Sequence, residues 1–258
     1  MNFVIRAVTA SLVSGLLFSA LIARGATPDL SGTAWVLSSL PRRSLVAGSS
    51  VTMRFEGGRV QGTDGCNRYS APYTATDTAL QIDPAAASTR MACSPPLMEQ
   101  AEAFMRALMQ ARAYRIRSGE LQLLTATGTV LASFTPQPQA LAGTSWRVTG
   151  YNNGREAVVS VIAGTSVTMA FSADGRVSGS AGCNRYTATY TSEGPRLTFG
   201  AAAATRRMCA QPDGVMKQEQ EFLKALETVS SARMEGDRLD LGAASGQLAA
   251  TLAKESSQ

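Results

Sequence analysis

No histidine occurs among the 258 residues. That one absence removes Ser-His-Asp triads, Cys-His dyads, His-ligated zinc and imidazole acid/base catalysis together. Cysteine is scarce, at four residues, and no Cys-x-x-Cys motif is present to lower a thiol pKa. Charge is sparse as well, at 17% of residues, and no run of four or more Lys/Arg exists, so the basic isoelectric point does not mark a nucleic-acid binder. Apolar residues, at 45%, are too many for a disordered chain, which leaves a folded body as the default.

The N-terminus carries an address. Met1 to Arg6 holds one positive charge and no acid, Ala7 to Ala23 is apolar or small, and Ala23-Arg24-Gly25 places small residues at −3 and −1 of a cleavage site. Residues 1–25 therefore read as a secretory signal peptide, the alternative being an uncleaved anchor at the short end of what spans a bilayer. No cysteine lies near the site to take a lipid, the first being Cys66. Cleavage leaves 22 basic and 19 acidic side chains and no stable membrane span.

A repeat organises the remainder. Leu30-Ser31-Gly32-Thr33-Ala34-Trp35 returns as Leu141-Ala142-Gly143-Thr144-Ser145-Trp146, and Gly65-Cys66-Asn67-Arg68-Tyr69 returns unchanged as Gly182-Cys183-Asn184-Arg185-Tyr186. Val51 to Phe55, Thr89 to Cys93 and Phe104 to Leu108 return in the same order. A period of 111 to 118 residues is that of a domain rather than a solenoid unit. Two copies are expected, over 29–136 and 140–252, joined by the short, semi-stiff linker Thr135-Pro136-Gln137-Pro138-Gln139.

Inside a copy, the alternation at Val51–Phe55, the Gly57-Gly58 turn before Arg59–Gly62, and the stretches Tyr69–Tyr73, Ala113–Arg117, Leu121–Thr125 and Val130–Phe134 predict short antiparallel strands. Leu97–Arg112 places Met98, Ala101, Phe104, Met105 and Leu108 at helical spacing, with Glu99 and Glu102 expected in the first turns. The fold class is mainly β (α+β): each domain a small antiparallel sheet or partly closed barrel with one α-helix, duplicated in tandem. Trp35 and Trp146 are expected to anchor the first strands, and Met91, Met98, Met105 and Met109 to fill core rather than bind a soft metal.

Four cysteines in an exported chain indicate disulfides, for which three connectivities exist. Duplication selects Cys66–Cys93 and Cys183–Cys209, because the domain folded alone before it was copied.

Gly-Thr-x-Trp, Gly-Cys-Asn-Arg-Tyr, Thr-Arg-Met-x-Cys and a Phe-x-x-Ala-Leu helix, in that order and twice, resemble the META domain, the family of the bacterial heat-inducible protein HslJ. The resemblance implies antiparallel β structure with one helix, a bacterial envelope location and a link to heat shock and stress, and it implies no known enzymatic reaction. The second copy departs from the pattern at Thr205-Arg206-Arg207-Met208-Cys209, where Arg stands in the Met position, so a Met packed in the first core would require local repacking in the second.

Asn67, Arg68, Tyr69 and Arg90, with Asn184, Arg185, Tyr186 and Arg206, admit two readings. One is a structural brace around each disulfide; the other is a surface on which the arginines present donors to an anionic ligand or partner. Asp64 meets Ala181 in the second copy, and no carboxylate pair recurs beside the motif, so a duplicated active site is unsupported, which leaves open activity in one copy alone. The expectation is thus a periplasmic or secreted protein, open to outer-membrane association, that is not an enzyme and needs no cofactor. It would be a stress-associated binding module for an envelope protein or small ligand, or alternatively an inhibitor or chaperone of a secreted or outer-membrane protein.

Overall fold

The computed structural model describes residues 29–155 and 157–255, so the expected signal peptide lies outside the described residues. In the first domain β1 (Ala34–Ser39), β2 (Thr52–Glu56), β3 (Arg59–Thr63), β4 (Arg68–Thr76) and β5 (Ala79–Ile82) precede a two-residue strand β6 (Ala87–Ser88). After α1 (Pro95–Gln110) come β7 (Ala113–Arg117), β8 (Glu120–Leu124) and β9 (Val130–Pro136). All pairings are antiparallel, and β3–β4 and β1–β9 contacts close eight strands into a barrel, with β6 appended to β4.

The second domain repeats the plan. Its strands are β10 (Thr144–Asn152), β11 (Val158–Ser160), β12 (Thr168–Phe171), β13 (Arg176–Ser180), β14 (Arg185–Glu193), β15 (Arg196–Phe199) and β16 (Ala203–Ala204). They are followed by α2 (Val215–Glu227), β17 (Val229–Glu235), β18 (Arg238–Ala243) and β19 (Leu248–Lys254). Pairing of β10 with both β12 and β19 returns this sheet on itself, while β11 and β16 hang from its edges. Among the described residues no helix is long and apolar enough to cross a membrane.

Alternation fills each interior. Met53 and Phe55 on β2, Val60 on β3, Leu121 and Leu123 on β8 and Phe134 on β9 are fully enclosed, and Arg54, Gln61 and Gln122 between or beside them are less buried. The helix completes the core. Phe104 on α1 reaches Tyr69 on β4 (ring centroids 5.5 Å) and Phe134 on β9 (6.3 Å), strands on opposite walls of the ring; Phe222 on α2 meets Tyr186 and Tyr151 in the same way.

Gly-Thr-x-Trp is explained by one turn. Gly32 and Gly143 adopt φ of +76° and +77°, and the indole N–H of Trp35 or Trp146 donates to the hydroxyl two residues before it at 2.7 Å. The buried tryptophans thereby satisfy their one polar atom while anchoring β1 and β10.

Three local expectations are corrected. The first helix starts at Pro95 rather than Leu97, because prolines suit its first positions, and Glu99 therefore falls beyond the first turn. Met91 lies outside the helix and is 58% exposed. Thr135 and Pro136 belong to β9 and Gln137 is buried, its N–H donating to the Ala34 carbonyl (2.9 Å), so the proposed linker is largely part of the first barrel.

Candidate functional site

The disulfides Cys66–Cys93 and Cys183–Cys209 both form. Each fastens the loop before its domain's helix to the turn that opens β4 or β14. The asparagine after the first cysteine is the hub. Asn67 Oδ1 accepts from Thr89 Oγ1 (2.8 Å) and the Met91 amide (2.7 Å), while Asn67 Nδ2 donates to the Met91 carbonyl (3.3 Å). Asn184 repeats these bonds with Thr205 Oγ1 (2.7 Å), the Arg207 amide (2.7 Å) and the Arg207 carbonyl (3.0 Å). The third position of Thr-Arg-Met acts through its backbone, which is why Arg207 substitutes for Met91 without repacking the core; Met208 is 86% exposed.

A carboxylate anchors each hub, and it comes from a different place in each copy. In the first, Asp64 Oδ1 accepts from the Cys66 amide (2.9 Å) and the Asn67 amide (2.6 Å). In the second, Ala181 stands at that position and Glu219 on α2 supplies the oxygens, accepting from the Asn184 amide (2.7 Å) and Asn184 Nδ2 (2.9 Å). The α1 residue equivalent to Glu219 is Ala101. Both carboxylates are buried, at 4% and 6% exposure, and both are engaged by donors.

The neighbouring glutamines were not anticipated from the sequence. Gln100 Oε1 accepts from the Val46 amide and its Nε2 donates to Ser49; Gln218 does the same with Ile162 and Thr165. Both precede the core phenylalanine by four residues, a recurrence that aligning the two helices reveals. Gly65 and Gly182, at φ of +97° and +114°, pass close to these amides, where a side chain would be both strained and crowded.

Tyr69 and Tyr186 are buried, and their hydroxyls donate to the carbonyls of Thr52 (2.8 Å) and Thr168 (3.0 Å). Burial pushes both phenols well above their ordinary value; for Tyr69 the charges of Glu235 and then Asp64 add to it. Of the eight residues singled out in the sequence, Asn67, Tyr69, Asn184 and Tyr186 are thus buried and internally bonded. Arg68, Arg90, Arg185 and Arg206 are exposed.

Arg68 and Arg185 stand in equivalent grooves with different occupants. The β17–β18 hairpin covers the Arg68 groove, a space of about 450 Å³, placing Asp240 3.5 Å and Glu235 3.9 Å from the guanidinium. Thr52 Oγ1 donates to Glu235 (3.3 Å), and the Met234 carbonyl accepts from Arg54 (3.3 Å) and from Gln137 Nε2 (2.7 Å). Burial lowers the Arg54 pKa, and the nearby Arg233 charge lowers it further. Gly236 at the hairpin turn lies so close to Ser50 and Thr52 that a Cβ there would collide. The Arg185 groove, about 300 Å³, is open; among the described residues no carboxylate lies within salt-bridge distance of Arg185, and Glu255 lines the groove's edge.

The META domain family model matches the chain over residues 28–138 and again over 139–256. No curated protein matches it. Similar solved structures include an NMR structure of a protein from Burkholderia xenovorans, 25% identical, covering 45% of this chain and 85% of that one with a TM-score of 0.39. A crystal structure of a DUF4847 family protein from Bacteroides vulgatus is 15% identical over 46% of this chain and 98% of that one, with a TM-score of 0.35.

Proposed function

This chain belongs to the META domain family, carrying that domain twice, and on that footing we propose that it is a non-catalytic, exported, stress-associated binding module of the bacterial envelope. The observation that carries the reading is the open Arg185 groove. An internally satisfied brace holds a charged side chain at the surface with its backbone fixed, the arrangement a recognition site needs to limit ordering costs on binding.

Two further points support it. The carboxylates beside the motif are buried and bonded, Asp64 through Oδ1 to two backbone amides and Glu219 through both oxygens to Asn184, which argues against acid/base work there. Two disulfides suit an oxidising compartment, which agrees with the signal-like residues 1–25; the stress association rests on the family resemblance alone.

The test is capture of envelope proteins on the oxidised protein, beside a control carrying Arg185→Ala and Arg206→Ala, with bound species identified by mass spectrometry. A species retained by the unsubstituted protein and lost from the control is the expected result. Equal retention on both, or none on either, refutes a binding role for this face.

A further inference from the structure

We propose that the Arg185 groove of the second domain docks an acidic β-hairpin of a foreign protein, an assignment that rests on the binding-module reading and specifies its partner. The protein contains the template for this contact. On the first domain the equivalent face is already covered by a strand-turn-strand unit whose Glu235 and Asp240 flank Arg68. Three of the receiving groups recur on the second domain: Ser166 and Thr168 stand for Ser50 and Thr52, and Arg185 for Arg68. Among the described residues no hairpin covers the second face, and Glu255, which lines it, lies beyond salt-bridge distance of Arg185, which leaves the guanidinium for carboxylates of a partner.

A second copy of this chain does not fit. Its acidic hairpin is already held by its own Arg68, and the effective concentration of a tethered segment favours that internal contact. The first domain's equivalent hairpin, β7–β8, carries Arg117 where β17–β18 has Glu235, and Gln122 where it has Asp240. Two carboxylates are thereby replaced by a cation and an amide, and Ser118 takes the place of Gly236, whose lack of a side chain allows the close approach.

The face also states how the foreign hairpin must differ. Arg54 and Gln137, the donors that hold the Met234 carbonyl, become Ala170 and Glu255, neither of which can donate there. A partner therefore presents carboxylates to Arg185 and a donor, from Lys, Arg or a free amide, to Glu255.

The probe is a backbone-cyclised, fluorescent peptide with the sequence of Ala232–Leu241, titrated onto the full chain. Its control carries Glu235→Arg and Asp240→Gln. We expect saturable binding by the first peptide, amide shifts confined to Thr168–Ala170 and Ser178–Arg185, and about tenfold weakening by the control peptide or by Arg185→Glu in the protein. Absence of saturation up to about 1 mM, the weak end of specific recognition, overturns the proposal. So does binding indifferent to Arg185→Glu, or shifts confined to the Arg68 face. Self-association of the chain that Arg185→Glu abolishes would replace the foreign partner with a second copy. If capture yields an Arg185-dependent partner that the peptide does not displace, the binding-module reading stands and the acidic-hairpin assignment falls.

Discussion

The exchange of carboxylates between the two copies makes a double substitution predictable. Asp64→Ala leaves the buried amides of Cys66 and Asn67 without their acceptor, and a buried donor stripped of its partner costs about 1–3 kcal/mol. The pair should cost about 2–6 kcal/mol, a large part of what a small domain has, and lower the first domain's melting temperature by about 15 °C. Ala101→Glu in that background places a carboxylate where Glu219 sits in the second domain. Glu219 reaches the Asn184 amide but has no bond to the Cys183 amide, so the rescue should return roughly half of the loss. In the presence of Asp64 the same Ala101→Glu should destabilise, since it buries a second negative charge beside donors already taken. Urea unfolding of the four proteins of this cycle, with hydrogen exchange assigning the signal to the first domain, measures the coupling. If Ala101→Glu has the same effect with and without Asp64, the equivalence of the two carboxylates is wrong.

Reduction, or Cys66→Ser, should destabilise the first domain by about 3–4 kcal/mol, the chain-entropy value for a loop of this length; a thermal unfolding curve unchanged by reductant would contradict it. Alkaline stability follows from the buried phenols of Tyr69 and Tyr186. Their folded pKa values lie above the unfolded value near 10, so their contribution is complete below pH ~10 and falls as pH rises, by up to about 1.4 kcal/mol per pH unit for each. Ultraviolet titration should show two of the six tyrosines ionising only as the protein unfolds, and six ordinary titrations of a folded protein would refute this.

Much of the architecture was legible because duplication acts as an internal control. The repeat set the cysteine pairing, since a domain that once folded alone contains its own bonds, and the strand β7 has the bounds its alternation predicted. The same position-by-position comparison misled at Asp64. Finding Ala181 opposite it gave no sign of a counterpart, whereas the need recurs and is met from α2, 35 residues downstream of Asn184. A hydrogen-bond requirement belongs to a point in space, and a helix packed against the loop can satisfy it as well as a neighbour in sequence can. Met91 failed for a related reason: its periodicity suggested core, but the motif uses its amide and carbonyl, which no side-chain pattern reports. The filling of the Arg68 groove was equally hidden, because it depends on how two closed barrels meet.

That contact bears on how a tandem repeat avoids uncontrolled assembly. A hairpin of one copy docking on the face of the next is a head-to-tail interface, and identical copies bearing both surfaces would propagate it into open filaments. Here the interface forms once, within the chain, and sequence divergence weakens its repetition at both ends. On the first domain Arg117, Ser118 and Gln122 remove the carboxylates and the glycine that the hairpin needs; on the second, Ala170 and Glu255 remove the donors that received its carbonyl. Arg185 stands on that second face although, among the described residues, no ion pair engages its side chain. Divergence that only prevented assembly would be served equally well by losing this arginine. A cation kept beside Glu255, in a groove that has lost only the donors for the hairpin carbonyl, is the charge on which the proposed docking of a foreign hairpin rests.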